Sequence, residues 1–184
     1  MIKIWDPARI SKSPAIFDPL KLRAINAAYI RALPAEEFRK LADPFIDQAV
    51  HVQIDRDLLC ANLQPRCEVL EDIPPQLDFF DAVLPIDAEM YRNKKQKTTP
   101  ESAKEALSAL LPVLEAQTDW SRDAIFEACK QKAEAMEKKN GWLLFPLGIA
   151  LSGKARTPGG GTDLAAMMGK EETLRRLNAA IEAL

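Results

Sequence analysis

Trp142-Leu-Leu-Phe-Pro-Leu-Gly-Ile-Ala-Leu-Ser-Gly-Lys-Ala-Arg-Thr-Pro-Gly-Gly-Gly161, running into Leu164-Ala-Ala-Met-Met-Gly-Lys-Glu-Glu-Thr-Leu-Arg-Arg-Leu177, decides how this chain is read. It sets three things in succession: an apolar run long enough for a buried helix, a basic loop closed by a Thr-Pro-Gly turn, and an amphipathic helix. Pro158 and the three glycines reverse the chain, and Thr162 or Asp163 is expected to cap the helix that follows. The same glycines would let backbone amides approach a phosphate or a splayed base without Cβ interference, beside a helix N-terminus that attracts anions. A plain chain reversal and a ligand-facing corner both remain open on these residues alone.

Working outward, helix signals dominate. Asp18-Pro19 is an N-cap followed by proline at the first helical position, and Leu22, Ile25, Tyr29 and Leu33 then fall on one face. Leu33-Pro34 restarts the chain, Glu36 and Glu37 complement the new helix dipole, and Pro44 is expected to divide that segment in two. Gln64-Pro65 should open a short helix that Ile73-Pro74-Pro75 closes. From Thr99-Pro100 a helix carries Leu107, Leu110, Leu111 and Leu114 inward, with a kink or early end expected at Pro112. Ser121 reads as the next N-cap, and Asn140-Gly141 as the stop of that helix. Val50 to Ile54 alternates and Trp142 to Phe145 is a short apolar run, but neither has the length and partners for a sheet. The predicted fold is all-α, a proline-punctuated helical bundle or cage.

The chain has 184 residues, of which 47% are hydrophobic and 28% charged, with a formal net charge of -2. That is a folding composition with room for a sizeable core. It excludes a bulk polycation that coats nucleic acid by counterion release, so any RNA contact must come from a local basic face. Most cations sit beside acids that cancel them. The exception is Lys154 to Thr157, where Lys154 and Arg156 flank a turn with no acid in sequence before Asp163.

Candidate chemistry is sparse. Cys60, Cys67 and Cys129 show no CxxC spacing and His51 is the single histidine, so no metal site is expected and the thiols read as packed and reduced. No catalytic acid, base or nucleophile set is found. Gly148 to Ala155 nearly spells the phosphate-binding GxxxxGK[ST] motif, but Ala155 lacks the hydroxyl that would hold magnesium, and Ile149-Ala-Leu151 reads as buried helix. No run approaches the roughly 20 apolar residues needed to span a bilayer, and Met1 to Pro7 is no signal peptide. A cytoplasmic chain follows.

Several of these blocks, in this order, resemble the C-terminal anticodon-binding region of bacterial glutamyl-tRNA synthetases. They are Ser13 to Leu22 with Ile25-Asn26 and Tyr29 to Arg31, Pro146 to Gly153, Thr157-Pro-Gly159, and Gly169-Lys-Glu-Glu172 with Leu174 to Leu177. Arg9-Ile-Ser-Lys-Ser13 similarly resembles the family's Lys-Met-Ser-Lys-Ser loop, yet no upstream nucleotide fold or His-Ile-Gly-His segment exists for it to serve, and it reads as a connecting segment. The resemblance implies an all-helical fragment without the catalytic domain. Residues 1 to 33 would end the tRNA stem-contact domain, and residues 34 to 95 and 96 to 184 would form two helical anticodon-binding subdomains.

It also implies a partner: tRNA-Glu, bound by a monomer, with no DNA and no membrane. ATP and magnesium would be needed by the full-length ligase and no cofactor by this chain. Arg66, in Gln64-Pro65-Arg66-Cys67, matches the family arginine that reads the third anticodon base, cytosine against guanine. Thr157 and Pro158 match positions lining the anticodon loop, with Lys154, Arg156 and Gly160 beside them. Gly148 stands where the family usually has arginine, and Gly160 where it often has a larger residue; both departures leave tRNA-Gln open as a second partner. The competing expectation is a helical scaffold that contacts protein alone.

Overall fold

Asp18 does what its position demands. In the computed structural model, which describes residues 17–184, its carboxylate accepts from the amides of Leu20 at 3.0 Å and Lys21 at 3.1 Å and opens α1, Pro19–Ala32. The expected inward stripe of α1 is not the buried one. Leu22, Ile25 and Tyr29 are exposed, Tyr29 by 72%, while Ala27 and Ile30 are buried and only Leu33 of the four packs on the core. The cause is where the partner lies: Gln64 donates from Nε2 to the carbonyls of Ile30 and Leu33, at 3.0 and 2.8 Å, and Asn26 donates to that of Glu68. Periodicity identifies a helix; the neighbour's position chooses which apolar face it covers.

Prolines interrupt less than expected. α2, Ala35–Ile46, continues through Pro44, and α4, Pro100–Ala116, through Pro112. A proline in a helix interior costs about 3 kcal/mol. Each helix offsets that with a buried stripe on both sides of the ring, Phe38, Ala42 and Ile46 in one and Leu107, Leu110 and Leu114 in the other. Burial of each large apolar side chain contributes about 1.5–3 kcal/mol, so the packed stripe wins.

Between α3, Arg56–Leu63, and α4 the chain makes 3-10 turns at Gln64–Arg66, Leu70–Asp72, Pro74–Gln76 and Ala88–Tyr91, instead of the single short helix expected from Gln64 to Ile73. Pro65, Pro74 and Pro75 have no amide hydrogen, so an i to i−4 ladder cannot propagate through them. Ile73, Leu77, Phe79 and Phe80 from this irregular stretch are nonetheless buried.

α4 opens with a reciprocal cap: Ser102 donates its amide to Thr99 Oγ1, and Thr99 its amide to Ser102 Oγ, at 3.3 and 2.8 Å. Ser121 caps α5, Arg122–Ala135, as expected. Asn140-Gly141 is not its stop. Glu137 takes the left-handed conformation, φ 55°, and the Lys138 amide returns to the Ala133 carbonyl at 2.9 Å, so the helix closes without glycine. Asn140 instead opens α6, Asn140–Ser152, which turns Trp142 to Phe145 from an apolar run into the first turns of the central helix. α7, Gly161–Met168, and α8, Lys170–Ala183, follow. The cap of α7 is Gly160, whose amide donates to the Asp163 carboxylate at 2.7 Å; neither Thr162 nor Asp163 is the cap residue.

Among the described residues there is no strand, so the fold is all-α, and buried residues from Ile30 to Ala180 form one connected core. Its strongest polar tie is Arg176 on α8, 1% exposed. Its guanidinium donates to the carbonyls of Phe79, Leu151 and Phe80 at 2.7, 2.7 and 2.8 Å and to Glu172 at 2.6 Å. One side chain thus joins the irregular stretch, the end of α6 and α8.

Candidate nucleic-acid interface

α6 is apolar on every side and is covered almost everywhere: Leu143, Leu147, Ile149, Ala150 and Leu151 are buried. The exception is one face, where Leu144, Phe145 and Gly148 are only half-buried and form the floor of a groove of about 690 Å3. The loop after α6 and the start of α7 make one wall. Arg66 and Gln76, from two 3-10 turns of the irregular stretch, line the other.

Two glycines set the geometry of that wall. Gly153 ends α6 at φ 65°, in the left-handed region, with the Leu84 side chain 2.9 Å from where a Cβ would stand. At Gly161 a Cβ would come within 2.8 Å of the Leu144 carbonyl oxygen and 2.9 Å of the Gly148 amide nitrogen. α7 therefore starts directly on the backbone of α6, which holds the Thr157-Pro158 corner over the groove floor.

Arg66 is exposed at the lip. Its Nη1 donates to the Pro158 carbonyl at 2.8 Å and, at 3.4 Å, to that of Thr157. Among the described residues it pairs with no carboxylate. The guanidinium and the corner predicted from sequence therefore stand together, across half of the chain length. Pro158 is buried and anchors the corner, while the Thr157 hydroxyl donates to the Gly159 carbonyl at 2.6 Å and tightens it. Gly160 is exposed at the cap of α7.

The two loop cations differ. Lys154 was expected to be free of acids, and along the sequence it is. In the fold Asp78 forms an ion pair with its ammonium, which also donates to the Pro75 carbonyl at 2.9 Å. Lys154 is thus a strut that fixes one wall of the groove to the other, its charge largely neutralised. Arg156 is exposed and makes no ion pair among the described residues. Gln76, Leu144 and Phe145 line the groove and had no signal in the sequence, since a glutamine in a proline-rich turn and two residues of an apolar run carry no mark of exposure.

Elsewhere the chemistry is structural. Gly148 to Ser152 is continuous helix and Lys154 is tied to Asp78, so the near match to a phosphate loop offers no open amide cradle. The three cysteines are buried and free; burial pushes the thiols of Cys60 and Cys67 up to about 11 and that of Cys129 to about 12. His51 does have an acidic neighbour, Asp81, but no serine, threonine or cysteine lines the recess that holds Asp81. No metal-ligating cluster occurs among the described residues, and no helix there is long and apolar enough to cross a membrane. The Arg9 to Ser13 segment lies outside the described residues.

An all-helical core that suspends an exposed arginine and a rigid proline corner over a half-apolar groove defines a class of binding module. The chain belongs to the anticodon binding domain family, whose model matches residues 26–181. It is 41% identical over its whole length to a glutamate–tRNA ligase of Clostridium botulinum strain Hall, and 41% identical to that of Clostridium acetobutylicum. The chain spans 38% of the length of each of these relatives. Among solved structures it resembles a glutamate–tRNA ligase of Elizabethkingia meningosepticum with a TM-score of 0.84 at 26% identity, covering all of this chain and 36% of that one. The glutamate–tRNA synthetase of Elizabethkingia anophelis superposes with a TM-score of 0.74 at 25% identity over 98% of this chain and 35% of that one.

Proposed function

We propose that this chain recognises the anticodon loop of a tRNA as the anticodon-binding part of a glutamate–tRNA ligase, with tRNA-Glu the partner. The observation that carries this is the Arg66 guanidinium, exposed at the groove, free of carboxylates among the described residues, and hydrogen-bonded to the Pro158 carbonyl at 2.8 Å. An unstacked cytosine offers O2 and N3 acceptors to the guanidinium fork, whereas guanine presents N1–H and N2–H donors that the fork cannot satisfy. Arg66 reads the third anticodon base; Thr157, Pro158 and Gly160 shape the corner against the loop. Arg156 supplies the backbone charge, and Lys154 holds the corner in place rather than meeting phosphate.

Ligation of glutamate, with its ATP and magnesium, belongs to the part of a ligase that this chain does not span, and the chain by itself charges no tRNA. Residues 1 to 33 complete a stem-contact domain, and residues 34 to 95 and 96 to 184 are the two halves that meet at the groove. The exposed apolar residues of α1, Leu20, Leu22, Ile25 and Tyr29, suit a helix that packs against a further domain. The module acts as a monomer in the cytoplasm. Gly148 leaves the groove floor bare, which admits tRNA-Gln as a second partner.

A gel-shift series across salt concentration tests the proposal. A salt-sensitive shift with tRNA-Glu is expected, and Arg66→Ala should weaken binding about 5- to 150-fold, the range of one base contact worth about 1–3 kcal/mol. Replacing the third anticodon base by guanine should act on the wild type and not on the variant. A chain that shifts no tRNA at any salt concentration is a protein-binding scaffold instead.

A further inference from the structure

An arginine fork on N3 and O2 meets two opposing donors in guanine but only one, N3–H, in uracil, which keeps the O2 acceptor, so the fork alone discriminates less against uracil. A site that selects cytosine needs an acceptor aimed at the 4-amino group. Gln76 lines the same groove as Arg66 and supplies one.

The orientation of its amide is fixed by chemistry. Nε2 donates to the Asp72 carbonyl at 2.7 Å, and a peptide carbonyl can only accept, so the nitrogen end must face Asp72 and the oxygen end is left over. No described residue donates to Gln76 Oε1. The mount is rigid: the Gln76 amide donates to the Ile73 carbonyl and that of Leu77 to the Pro74 carbonyl, both at 3.0 Å, and Ile73 and Leu77 are fully buried. Lys154, from the opposite wall, clamps the same turn through Pro75 and Asp78. The acceptor is therefore held at a set position before any base arrives, which lowers the ordering cost of binding.

Arg66, for its part, engages its carbonyl partners through Nη1 alone, which leaves Nε and Nη2 as donors. Gln76 and Arg66 thus bring to one groove an acceptor, Oε1, and two donors, Nε and Nη2, that no described residue engages. Cytosine's pairing edge is the complement: an amino donor at position 4, then acceptors at N3 and O2. Uracil places an oxygen at position 4 and N3–H at position 3, opposing both. Guanine reverses the pattern, with O6 accepting and N1–H and N2–H2 donating.

We propose that Gln76 is a specificity-determining residue of this groove, its Oε1 accepting from the 4-amino group of a cytosine whose N3 and O2 take the Arg66 donors. This rests on the anticodon-binding proposal above and adds discrimination against uracil.

The test measures equilibrium binding of this chain to tRNA-Glu transcripts whose third anticodon base is cytosine, uracil, or pyrimidin-2-one, which keeps N3 and O2 and lacks the amino group. The wild type should prefer cytosine over both alternatives by roughly 5- to 150-fold. Gln76→Met, which keeps the length of the side chain and removes the acceptor, should erase the preference over pyrimidin-2-one and reduce that over uracil, with the helical signal and melting profile checked in parallel. The pyrimidin-2-one comparison on unmodified protein stands even if the variant folds poorly. Equal wild-type binding of cytosine and pyrimidin-2-one, with Arg66→Ala weakening both, overturns the Gln76 role and leaves the anticodon proposal intact. Binding indifferent to every base and to Arg66→Ala sinks both.

Discussion

Arg176 and Arg66 each donate to main-chain carbonyls brought from distant parts of the sequence, yet one is 1% exposed and the other lies open at a groove. Arg176 makes four hydrogen bonds, three to carbonyls that would otherwise be buried without a donor. Arg66 secures its corner through a single nitrogen and keeps the rest of its fork available. A guanidinium is weakly hydrated and rigid, so it serves either as an internal clamp or as a reader. The number of its donors already satisfied by protein decides which.

The largest effect is expected from Arg176→Ala. Removing one partner of a buried charged network costs about 3–5 kcal/mol, and urea unfolding should show a lower midpoint with the slope unchanged. Arg66→Ala should cost less than about 1.5 kcal/mol in the same experiment, since only one modest hydrogen-bonding group is lost, while its tRNA affinity collapses. Comparable destabilisation by the two variants would break the distinction.

Gly161→Ala comes next. Its Cβ would meet the Leu144 carbonyl oxygen at 2.8 Å, so α7 must lift from α6 at about 1–3 kcal/mol, lowering the melting temperature by roughly 2–12 °C. Because Leu144 also floors the groove, RNA binding should weaken together with stability, unlike in either arginine variant.

The clamp has a pH signature. Hydrogen bonding to Arg175, opposed by burial and reinforced by Arg176, lowers the Glu172 carboxyl from its ordinary 4.5 to about 2. A carboxylate depressed on folding contributes stability that is fully present above about 4.5 and is lost as pH falls through about 2. Glu172→Gln should therefore flatten the acid limb of the stability profile in that window, lowering stability at pH values above about 4.5 and leaving it little changed below about 2.

The smallest effect concerns Arg156, exposed and without an ion pair among the described residues. Arg156→Ala should reduce the slope of log affinity against log salt by about 0.7, uniformly across anticodon sequences, as for one phosphate contact to single-stranded RNA. Lys154→Ala should leave that slope nearly untouched, because its charge already faces Asp78.

Much of this fold was legible in the chain. Asp18, Thr99 and Ser121 announced three helix starts because caps act through side chains two or three residues away, a range at which sequence is sufficient. Pro44 misled because burial was stronger: it divides nothing, and it sits, as Pro112 does, inside a helix whose apolar stripe outweighs one missing hydrogen bond. Asn140-Gly141 misled for a related reason, since Glu137 had already closed α5 in a conformation that residue type seldom adopts.

By itself, then, the sequence determined the all-helical class, the capped starts, and the candidacy of Arg66 with Thr157 and Pro158. Tertiary structure decided which face of α1 is covered, that Lys154 is a strut and Arg156 an open cation, and that Gln76 and Phe145 share a groove with Arg66. Local signals report spacing along one element, whereas exposure and charge compensation depend on which distant carbonyl or carboxylate the packed core brings alongside. For Lys154 that partner is Asp78, and nothing in its neighbourhood along the chain foretold it.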